Sequence, residues 1–227
     1  MTNLVWVTRA EPGASATAER LRALGFDPLI SPVLEVRPLD VAIDLEGAVA
    51  LAVTSANAVR AFAARESSRA LTVFAVGEAT AQAARDAGFA AIESADGDVA
   101  ALARLIATRR PGLVLNPTAA EPAEDLAALL APAGVAVRTV ALYETLPVEP
   151  IKALAALDAV STVLVHSPKA ARRLAALLDP AALARLDVAC ISEAAARPLV
   201  ETGARNVRFA PFPAEAALLK LLGPSRA

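Results

Sequence analysis

Hydroxyl, amide and charged side chains recur directly after short apolar segments of this 227-residue chain. The polar segments are Thr8-Arg9, Thr54-Ser55-Ala56-Asn57, Gly77-Glu78-Ala79-Thr80, Asn116-Pro117-Thr118, His166-Ser167-Pro168-Lys169 and Ser192-Glu193. Each precedes a predicted helix, whose first main-chain N–H groups bind anions. In open α/β sheets, ligands bind at the carboxyl ends of the strands. The sequence therefore predicts anion-binding turns, with Thr8, Arg9, Thr54, Ser55, Asn57, Gly77, Thr80, Ser167, Lys169 and Ser192 as candidate binding residues.

Each of these residues also has a purely structural interpretation. A serine, threonine or asparagine before a helix is more often a plain N-cap than a ligand contact. The only histidine, His166, corresponds to Thr54 in a repeat described below, so the shared design does not demand an imidazole. Arg9 fits an anion contact as well as an exposed surface cation. Cys190 lies in an apolar segment and fits a small core residue.

The only tyrosine, Tyr143, lies in a segment that has a counterpart far upstream. Leu142–Pro147 and Leu34–Pro38 both follow apolar residues, and both have a glutamate three residues before the final proline. We interpret the two segments as paired strands that bridge two similar domains, with Tyr143 facing the gap. The repeat has Leu34 at the corresponding position, so the phenol breaks the symmetry, and a reaction needs such a break.

Composition and missing motifs exclude several classes of protein. The formal net charge of −2 lacks the basic excess of a nucleic-acid-binding surface. The chain contains no G-x-G-x-x-G, no G-K-[ST] and no G-x-S-x-G segment, which disfavours a nucleotide-dependent α/β enzyme. One cysteine and one histidine leave no internal disulfide and no zinc cluster. No apolar run is long enough for a membrane helix, and a first strand at Leu4 leaves no room for a signal peptide, so we expect a cytoplasmic protein.

Short apolar segments alternate with segments of helical spacing along the whole chain. The predicted strands are 4–7, 26–30, 48–53, 71–76, 90–93, 113–115, 135–142, 162–165, 188–191 and 207–209. The predicted helices are 14–24, 58–64, 77–88, 99–107, 122–131, 170–178, 193–201 and 213–222. Such alternation is typical of parallel sheets of the α/β class.

An internal repeat indicates two domains. Thr8–Pro12 resembles 118–122, and we term this unit X; the segment from Ser55 to Gly88 resembles 167–203, and we term this unit Y. The order X, Y, X, Y permits contiguous domains or crossed domains. Crossed domains need two passages between them, and the two proline-ended segments supply two, so we favour the crossed arrangement. The predicted fold is two similar doubly wound parallel-sheet domains joined by a two-stranded β-ladder. The predicted domains are 1–33 plus 148–227, which is discontinuous, and 39–141, with 34–38 and 142–147 as bridge strands.

Taken together and in order, these segments resemble the uroporphyrinogen-III synthase family. The residues that carry the resemblance are Val7-Thr8-Arg9 with Glu11-Pro12, Thr54-Ser55-Ala56-Asn57-Ala58-Val59, Ala75-Val76-Gly77-Glu78-Ala79-Thr80, Ala95-Asp96-Gly97-Asp98, Leu142-Tyr143-Glu144-Thr145, His166-Ser167-Pro168 and Ile191-Ser192-Glu193. The resemblance implies two α/β domains joined by a β-ladder. It also implies cyclisation of hydroxymethylbilane, a linear tetrapyrrole with eight carboxylates, with loss of water and inversion of the last pyrrole through a spirocyclic intermediate.

The resemblance implies specific roles for residues of this chain. Tyr143 matches the family's candidate catalytic tyrosine, and the turns at Thr54, Ser55, Gly77, Ser167 and Ser192 would bind substrate carboxylates. No cofactor or metal is implied, and we expect a monomer with no nucleic-acid or membrane partner. The turns at Asn116–Ala119 and at Pro213-Ala214 depart from the family pattern, which weakens them as binding sites. A non-catalytic two-domain protein that binds a tetrapyrrole or another small anion is the alternative.

Overall fold

The computed structural model describes residues 3–224 and consists of strands that alternate with helices. The strands are β1 (Leu4–Val7), β2 (Asp27–Ile30), β3 (Leu34–Pro38), β4 (Ala48–Val53), β5 (Thr72–Ala75), β6 (Ile92–Ser94), β7 (Leu113–Ala119), β8 (Val137–Pro147), β9 (Thr162–Val165), β10 (Asp187–Cys190) and β11 (Asn206–Phe209). The helices are α1 (Gly13–Ala23), α2 (Ala56–Ala63), α3 (Glu78–Asp86), α4 (Val99–Arg109), α5 (Leu126–Leu130), α6 (Ile151–Ala155), α7 (Pro168–Leu177), α8 (Pro180–Arg185), α9 (Glu193–Glu201) and α10 (Glu215–Lys220).

The chain divides into two compact units. The first unit contains the residues up to Glu35 and those from Leu146 onward, and the second unit spans Val36–Thr145. The first unit holds a five-stranded sheet in the order β11-β10-β9-β1-β2, and its strand pairs are parallel. Strand β1 belongs to the first copy of the repeated segment X, and β9 belongs to the second copy of the repeated segment Y. Because β1 lies beside β9, these two copies pair, as in the crossed arrangement.

The second unit repeats the same strand order. Its sheet runs β3-β8-β7-β4-β5-β6, with parallel pairing from β8 through β6. Removing β3 leaves an order in which β6, β5, β4, β7 and β8 correspond to β11, β10, β9, β1 and β2. The two sheets confirm the predicted α/β fold with a discontinuous first domain. The exact domain limits proposed from the sequence stay a prediction.

The predicted ladder exists and is continuous with the sheet of the second unit. Strand β3 is the neighbour of β8. The Leu39 amide donates to the Leu142 carbonyl oxygen at 2.9 Å, and the Val148 amide donates to the Val33 carbonyl oxygen at 3.0 Å. The residue numbers rise on one strand as they fall on the other, which makes the pair antiparallel.

Each sheet is covered by helices on both faces. In the first unit, β9 and β10 pack against α7 and α9 on one side, and β1 packs against α1 and α10 on the other. In the second unit, α2 and α3 cover one face, and α4 and α5 cover the opposite face. Because both faces are buried, the central strands are continuous apolar runs rather than alternating ones.

One predicted turn is wrong, and its residues lie inside a strand. Asn116, Pro117 and Thr118 continue β7 and pair with β8. A proline removes an N–H donor and is therefore rare in a central strand. Here the paired register with β4 ends at Leu115, so Pro117 lies beyond that ladder. The loss of one donor on that side consequently does not end the strand.

Several other element boundaries differ from the sequence prediction. The helix predicted at 122–131 shortens to α5, followed by a 3₁₀ turn at Ala131–Ala133. The helix predicted at 213–222 is reduced to α10. The short helices α6 and α8 were not predicted, because five or six residues give too little periodicity to recognise.

Candidate functional site

Three serines begin helices at the carboxyl ends of strands. Ser55 Oγ accepts the Ala58 amide at 3.1 Å and starts α2. Ser167 and Ser192 accept the amide three residues ahead at 3.1 and 3.3 Å, and they start α7 and α9. Each serine has extended backbone angles, as an N-cap requires. The structural interpretation of these residues is thus correct, and the turns also present amino-terminal helix amides.

Gly77 occupies the corresponding position before α3 without a capping side chain. Its φ of −170° is ordinary extended backbone, and a Cβ added there would meet nothing within 4 Å. The glycine is therefore not required by local crowding. The Thr80 and Ala81 amides both donate to the Gly77 carbonyl oxygen at 3.0 Å, and the space beside the Gly77 Cα is open.

Tyr143 contacts Ser55 directly within the second unit. The Tyr143 phenol oxygen lies 2.9 Å from Ser55 Oγ, although the residues are 88 positions apart. The tyrosine is 6% exposed and belongs to the same hydrophobic core of that unit as Leu142, Leu115 and Val53. The phenol is therefore fixed at the start of α2, with its position set by β8 on one side and by the helix cap on the other.

The surroundings of Tyr143 keep the phenol protonated. Burial raises the pKa of Tyr143 above its ordinary value, while the hydrogen bond with Ser55 and the positive charge of Arg60 oppose that rise. The net pKa is raised, because desolvation of the phenolate is the largest effect. At neutral pH the group is thus a proton donor, and the two opposing groups favour the phenolate once a proton has left.

Arg60 is held on the first turns of α2 by another predicted site residue. Its guanidinium donates from Nη2 to Asn57 Oδ1 at 2.6 Å, three residues earlier on the same helix. Asn57 therefore contributes by orienting a cation on the helix that also carries Ser55. Arg60 was not among the predicted site residues, and its position three residues after Asn57 on a helix was the available signal.

In the first unit, Glu215 connects side chains from three different segments. Glu215 Oε2 lies 3.2 Å from Arg9 Nη1 and 3.0 Å from His166 Nε2. Glu215 Oε1 accepts the Thr17 hydroxyl at 2.6 Å. These contacts tie the first turn of α10 to the turn after β1, to α1 and to the end of β9. We refer to Arg9, Thr17, His166 and Glu215 as the Glu215 cluster.

The charges in the Glu215 cluster compensate one another. Burial lowers the pKa of His166, so the imidazole is neutral at neutral pH and donates a hydrogen bond rather than a charge. Burial alone would raise the pKa of Glu215, but the hydrogen bond from His166, the positive charge that His166 carries once it is protonated in acid, the hydrogen bond from Thr17 and the charge of Arg9 lower it to about 2. Burial lowers the pKa of Arg9, and the guanidinium still remains a cation. Arg9 is consequently balanced by an internal carboxylate.

The remaining predicted binding residues differ in accessibility. Thr8 is 1% exposed, and its hydroxyl donates to the Leu164 carbonyl oxygen at 2.6 Å. Thr80 is also buried, at 5% exposure. Thr54 is half-buried directly after β4, and Lys169 is half-buried in the first turn of α7. The turns thus offer backbone amides and some hydroxyls, while Thr8 is engaged within the sheet.

Glu215 and Thr17 were not among the residues predicted from the sequence. Glu215 lies two residues after a proline and opens the last helix, a position where an acidic residue is an ordinary partner of the helix dipole. Nothing in the local sequence indicates that it would meet His166 or Arg9, which are 49 and 206 residues away.

A groove of about 820 Å³ lies between α1 and α10 of the first unit. Its lining consists of Arg20, Ala23, Leu24, Glu215, Ala216, Leu219, Lys220 and Gly223. The groove lies on the outer helices, whereas the predicted binding turns lie at the sheet edge. We therefore assign it no part in the candidate site.

The structure describes residues 3–224, and two features are absent from this range. No group of three or more histidine, cysteine, aspartate or glutamate side chains in this range could hold a metal ion. Within the same range, no helix has the length and apolar character needed to span a membrane.

Two α/β units with the same strand order, each with capped turns at the carboxyl edge of a parallel sheet, define a duplicated α/β protein, and this edge is where ligands bind in open α/β sheets. The sequence model of the family described as Uroporphyrinogen-III synthase HemD matches residues 15–220. The chain therefore belongs to the uroporphyrinogen-III synthase family. This family acts on a small-molecule substrate, hydroxymethylbilane, and the function of the chain lies in tetrapyrrole biosynthesis.

Solved structures show the same fold. The uroporphyrinogen-III synthetase of Helicobacter pylori is 21% identical, with a TM-score of 0.68 over 97% of this chain and 98% of that chain. A mutant uroporphyrinogen III synthase of Thermus thermophilus is 20% identical, with a TM-score of 0.59 over 96% of each chain. No curated protein matches the sequence. Membership of the family implies a catalytic role.

Proposed function

We propose that the chain is a carbon–oxygen lyase that converts hydroxymethylbilane to uroporphyrinogen III. The observation that carries this proposal is the buried phenol of Tyr143, held 2.9 Å from Ser55 at the start of α2, where burial raises its pKa. A reaction that expels a hydroxyl group as water needs a proton donor, and a buried phenol of raised pKa is one. A cytoplasmic monomer is part of the proposal.

The proposed chemistry begins at the terminal hydroxymethyl group. Tyr143 donates its proton to the hydroxyl oxygen, the carbon–oxygen bond breaks with its electron pair on that oxygen, and water leaves. The cation that remains is stabilised by the pyrrole nitrogen. Attack by the last ring leads through a spirocyclic intermediate to the inverted product, and ring closure releases one proton that returns to the phenolate. The sum is the loss of one water.

The proposed substrate contacts are the helix starts at the carboxyl ends of the strands. The first amides of α2, α3, α7 and α9 favour negative charge, as helix amino termini do. Thr54, Ser167, Lys169 and Ser192 would add hydroxyl and ammonium donors, and the open start of α3 at Gly77 admits a carboxylate close to the backbone. In each unit these donors favour carboxylates although the net charge of the chain is −2.

Product analysis tests the proposed function. The chain is coupled to an enzymatic source of hydroxymethylbilane, the products are oxidised, and the type I and type III uroporphyrins are separated. We expect the type III isomer in excess. Formation of the type I isomer alone, as without the chain, would reject the enzyme and leave a non-catalytic tetrapyrrole- or anion-binding protein.

Replacement of the phenol tests the proposed acid. Tyr143→Phe removes the proton donor and retains the ring, so we expect turnover to fall on the order of 10²-fold with an unchanged circular dichroism spectrum. Loss of a general acid lowers kcat, whereas loss of a binding contact raises KM. Unchanged turnover in a folded variant would remove the acid role from Tyr143.

A further inference from the structure

Ser55 differs from the other capping serines by making two hydrogen bonds. Its Oγ accepts the Ala58 amide at 3.1 Å, and the same oxygen lies 2.9 Å from the Tyr143 phenol oxygen. Ser167 also accepts the amide three residues ahead, but the repeat aligns Leu34, which has no hydroxyl, with Tyr143. The cap is thus common to both units, and the contact with a phenol belongs to the second unit.

We propose that Ser55 is a positioning residue that acts through Tyr143, rather than a ligand of the substrate carboxylates. Its hydroxyl donates to the phenol oxygen and leaves the phenol proton directed toward the leaving hydroxyl of the substrate. This inference rests on the proposed function for its catalytic meaning, while the contact itself is independent of that function.

The helix cap gives the direction of this hydrogen bond a physical cause. The Ala58 amide occupies one lone pair of Ser55 Oγ and fixes the oxygen at the start of α2. A hydroxyl that accepts an amide becomes a better donor, because hydrogen bonds in series polarise one another. When the proton leaves Tyr143, the phenolate can only accept, so the Ser55 hydroxyl must be its donor.

The charge of the phenolate explains why this contact matters more after proton transfer. A hydrogen bond to an ionised oxygen is roughly twice as strong as one between neutral groups. Tyr143 is 6% exposed, so little water can replace the Ser55 hydroxyl. The contact therefore stabilises the state that follows proton donation more than the resting state, which is the requirement for catalysis.

The single tyrosine makes the inference measurable without substrate. Tyr143 is the only tyrosine of the chain, so absorbance at the phenolate band after a rapid pH jump reports this residue alone. We expect Ser55→Ala to raise the pKa of Tyr143 above that of the wild type, and Ser55→Thr to restore it. Labelling with tyrosine that carries ¹³C at Cζ gives one resonance, which should shift at neutral pH in Ser55→Ala and return in Ser55→Thr.

Ser167→Ala is the matched control for both tyrosine measurements. It removes the same type of cap from α7, a helix of the first unit, whereas the contact with Tyr143 belongs to Ser55. We expect the pKa and the Cζ resonance of Tyr143 to stay at their wild-type values. A tyrosine that is unaffected by Ser55→Ala, or equally affected by Ser167→Ala, would overturn the inference.

Kinetics separate positioning from substrate binding. We expect Ser55→Ala to lower kcat about 10-fold with KM little changed, and Ser55→Thr to recover most of the turnover. In the Tyr143→Phe background, Ser55→Ala should not lower kcat further, because Ser55 acts through the phenol that Tyr143→Phe removes. A raised KM at unchanged kcat, or full additivity with Tyr143→Phe, would show that Ser55 contacts the substrate itself.

The two sets of measurements distinguish two kinds of failure. If the chain produces only the type I isomer, the proposed function fails, while the titration and the resonance still report whether Ser55 controls the phenol. If the type III isomer is formed but the pKa and the Cζ resonance of Tyr143 do not change in Ser55→Ala, the function stands and the positioning role is rejected. Asp98→Ala removes a cap of α4 outside the site and provides the control for lost helix stability.

Discussion

Single residues of this chain act through the charge and hydrogen bonds that burial imposes on them. Tyr143 and Glu215 are both largely buried, yet desolvation dominates the phenol and is outweighed at the carboxylate. The difference lies in their partners: Glu215 accepts hydrogen bonds from His166 and Thr17 and lies beside Arg9, whereas the hydroxyl of Ser55 and the charge of Arg60 do not outweigh burial at Tyr143. Similar burial with different partners therefore yields a protonated phenol at one site and a carboxylate that is ionised at neutral pH at the other.

The Glu215 cluster predicts a stability that declines in acid. The folded-state pKa of Glu215 is about 2 against an ordinary 4.5, so its contribution to the unfolding free energy is fully present above pH 4.5 and disappears as the pH falls toward 2. The lowered pKa of His166 acts in the same direction, since the unfolded chain takes up a proton as the pH falls through 6.5. Urea unfolding at a series of pH values, followed by Trp6 fluorescence, measures the contributions of Glu215 and His166 to the unfolding free energy.

Glu215→Gln should flatten the part of this profile between pH 4.5 and 2. Removing the carboxylate charge leaves Arg9 uncompensated, and we expect a loss of roughly 3 kcal/mol near neutral pH. Asp158→Asn is the control, because Asp158 forms an exposed pair with Arg185 in the same unit. An acid profile of Glu215→Gln that matches the wild type would show that other carboxylates cause the decline.

The strand ends carry an equivalent contact in each unit. The Thr8 hydroxyl donates to the Leu164 carbonyl oxygen at 2.6 Å, and the Asn116 side chain donates to the Ala52 carbonyl oxygen at 2.8 Å. Each acceptor lies three residues before a capping serine. The repeat therefore persists as a hydrogen bond between corresponding strands, although the sequence alignment had matched Thr8 with Thr118.

Removing this contact should destabilise either sheet by a similar amount. Thr8→Val and Asn116→Ala each remove a buried donor from a strand-end carbonyl, and we expect losses of about 1–3 kcal/mol in the unfolding free energy. Thr162→Val, at the opposite end of β9, is the control and should change stability by less than about 0.5 kcal/mol. If Thr8→Val and Asn116→Ala were as stable as this control, the two hydrogen bonds would not contribute to the unfolding free energy.

Over the whole molecule, the order of the segments makes one unit continuous and the other discontinuous. Strands β3 to β8 follow one another without interruption and complete the sheet of the second unit. The first unit needs β1 and β2 from the amino-terminal part and β9 to β11 from the carboxyl-terminal part. Only the second unit is built from one continuous segment of the chain, so only the second unit can fold independently as a fragment.

Fragments should reveal this asymmetry. We expect residues 33–148 to unfold cooperatively in urea, because the fragment retains every strand of its sheet and helices on both faces. Residues 148–227 lack β1 and β2, which leaves β9 as an unpaired edge, and should remain unfolded. Far-ultraviolet circular dichroism measures the helical content of both fragments, and the near-ultraviolet signal of Tyr143 reports side-chain packing in residues 33–148. Absence of a cooperative transition in residues 33–148 would contradict the prediction.

The sequence by itself determined the features that depend on neighbouring residues. Apolar runs and helical spacing identified most strands and helices, since these periodicities are local. The caps at Ser55, Ser167 and Ser192 followed from the same local rule, because an N-cap bonds an amide two or three residues ahead. The internal repeat and the two proline-ended segments then indicated which halves pair.

Only the tertiary structure decided which distant side chains meet. Ser55 and Tyr143 are 88 residues apart, and Arg9 and Glu215 are 206 apart, so no local pattern joins them. Their contacts depend on strand order and register, which place turns from different segments at one edge of a sheet. For the same reason Asn116–Thr118 resembled a turn in the sequence, and pairing with β8 made it a strand. Residue types indicated which acids, bases and hydrogen-bond donors were present. Tertiary packing determined which of these side chains contact one another.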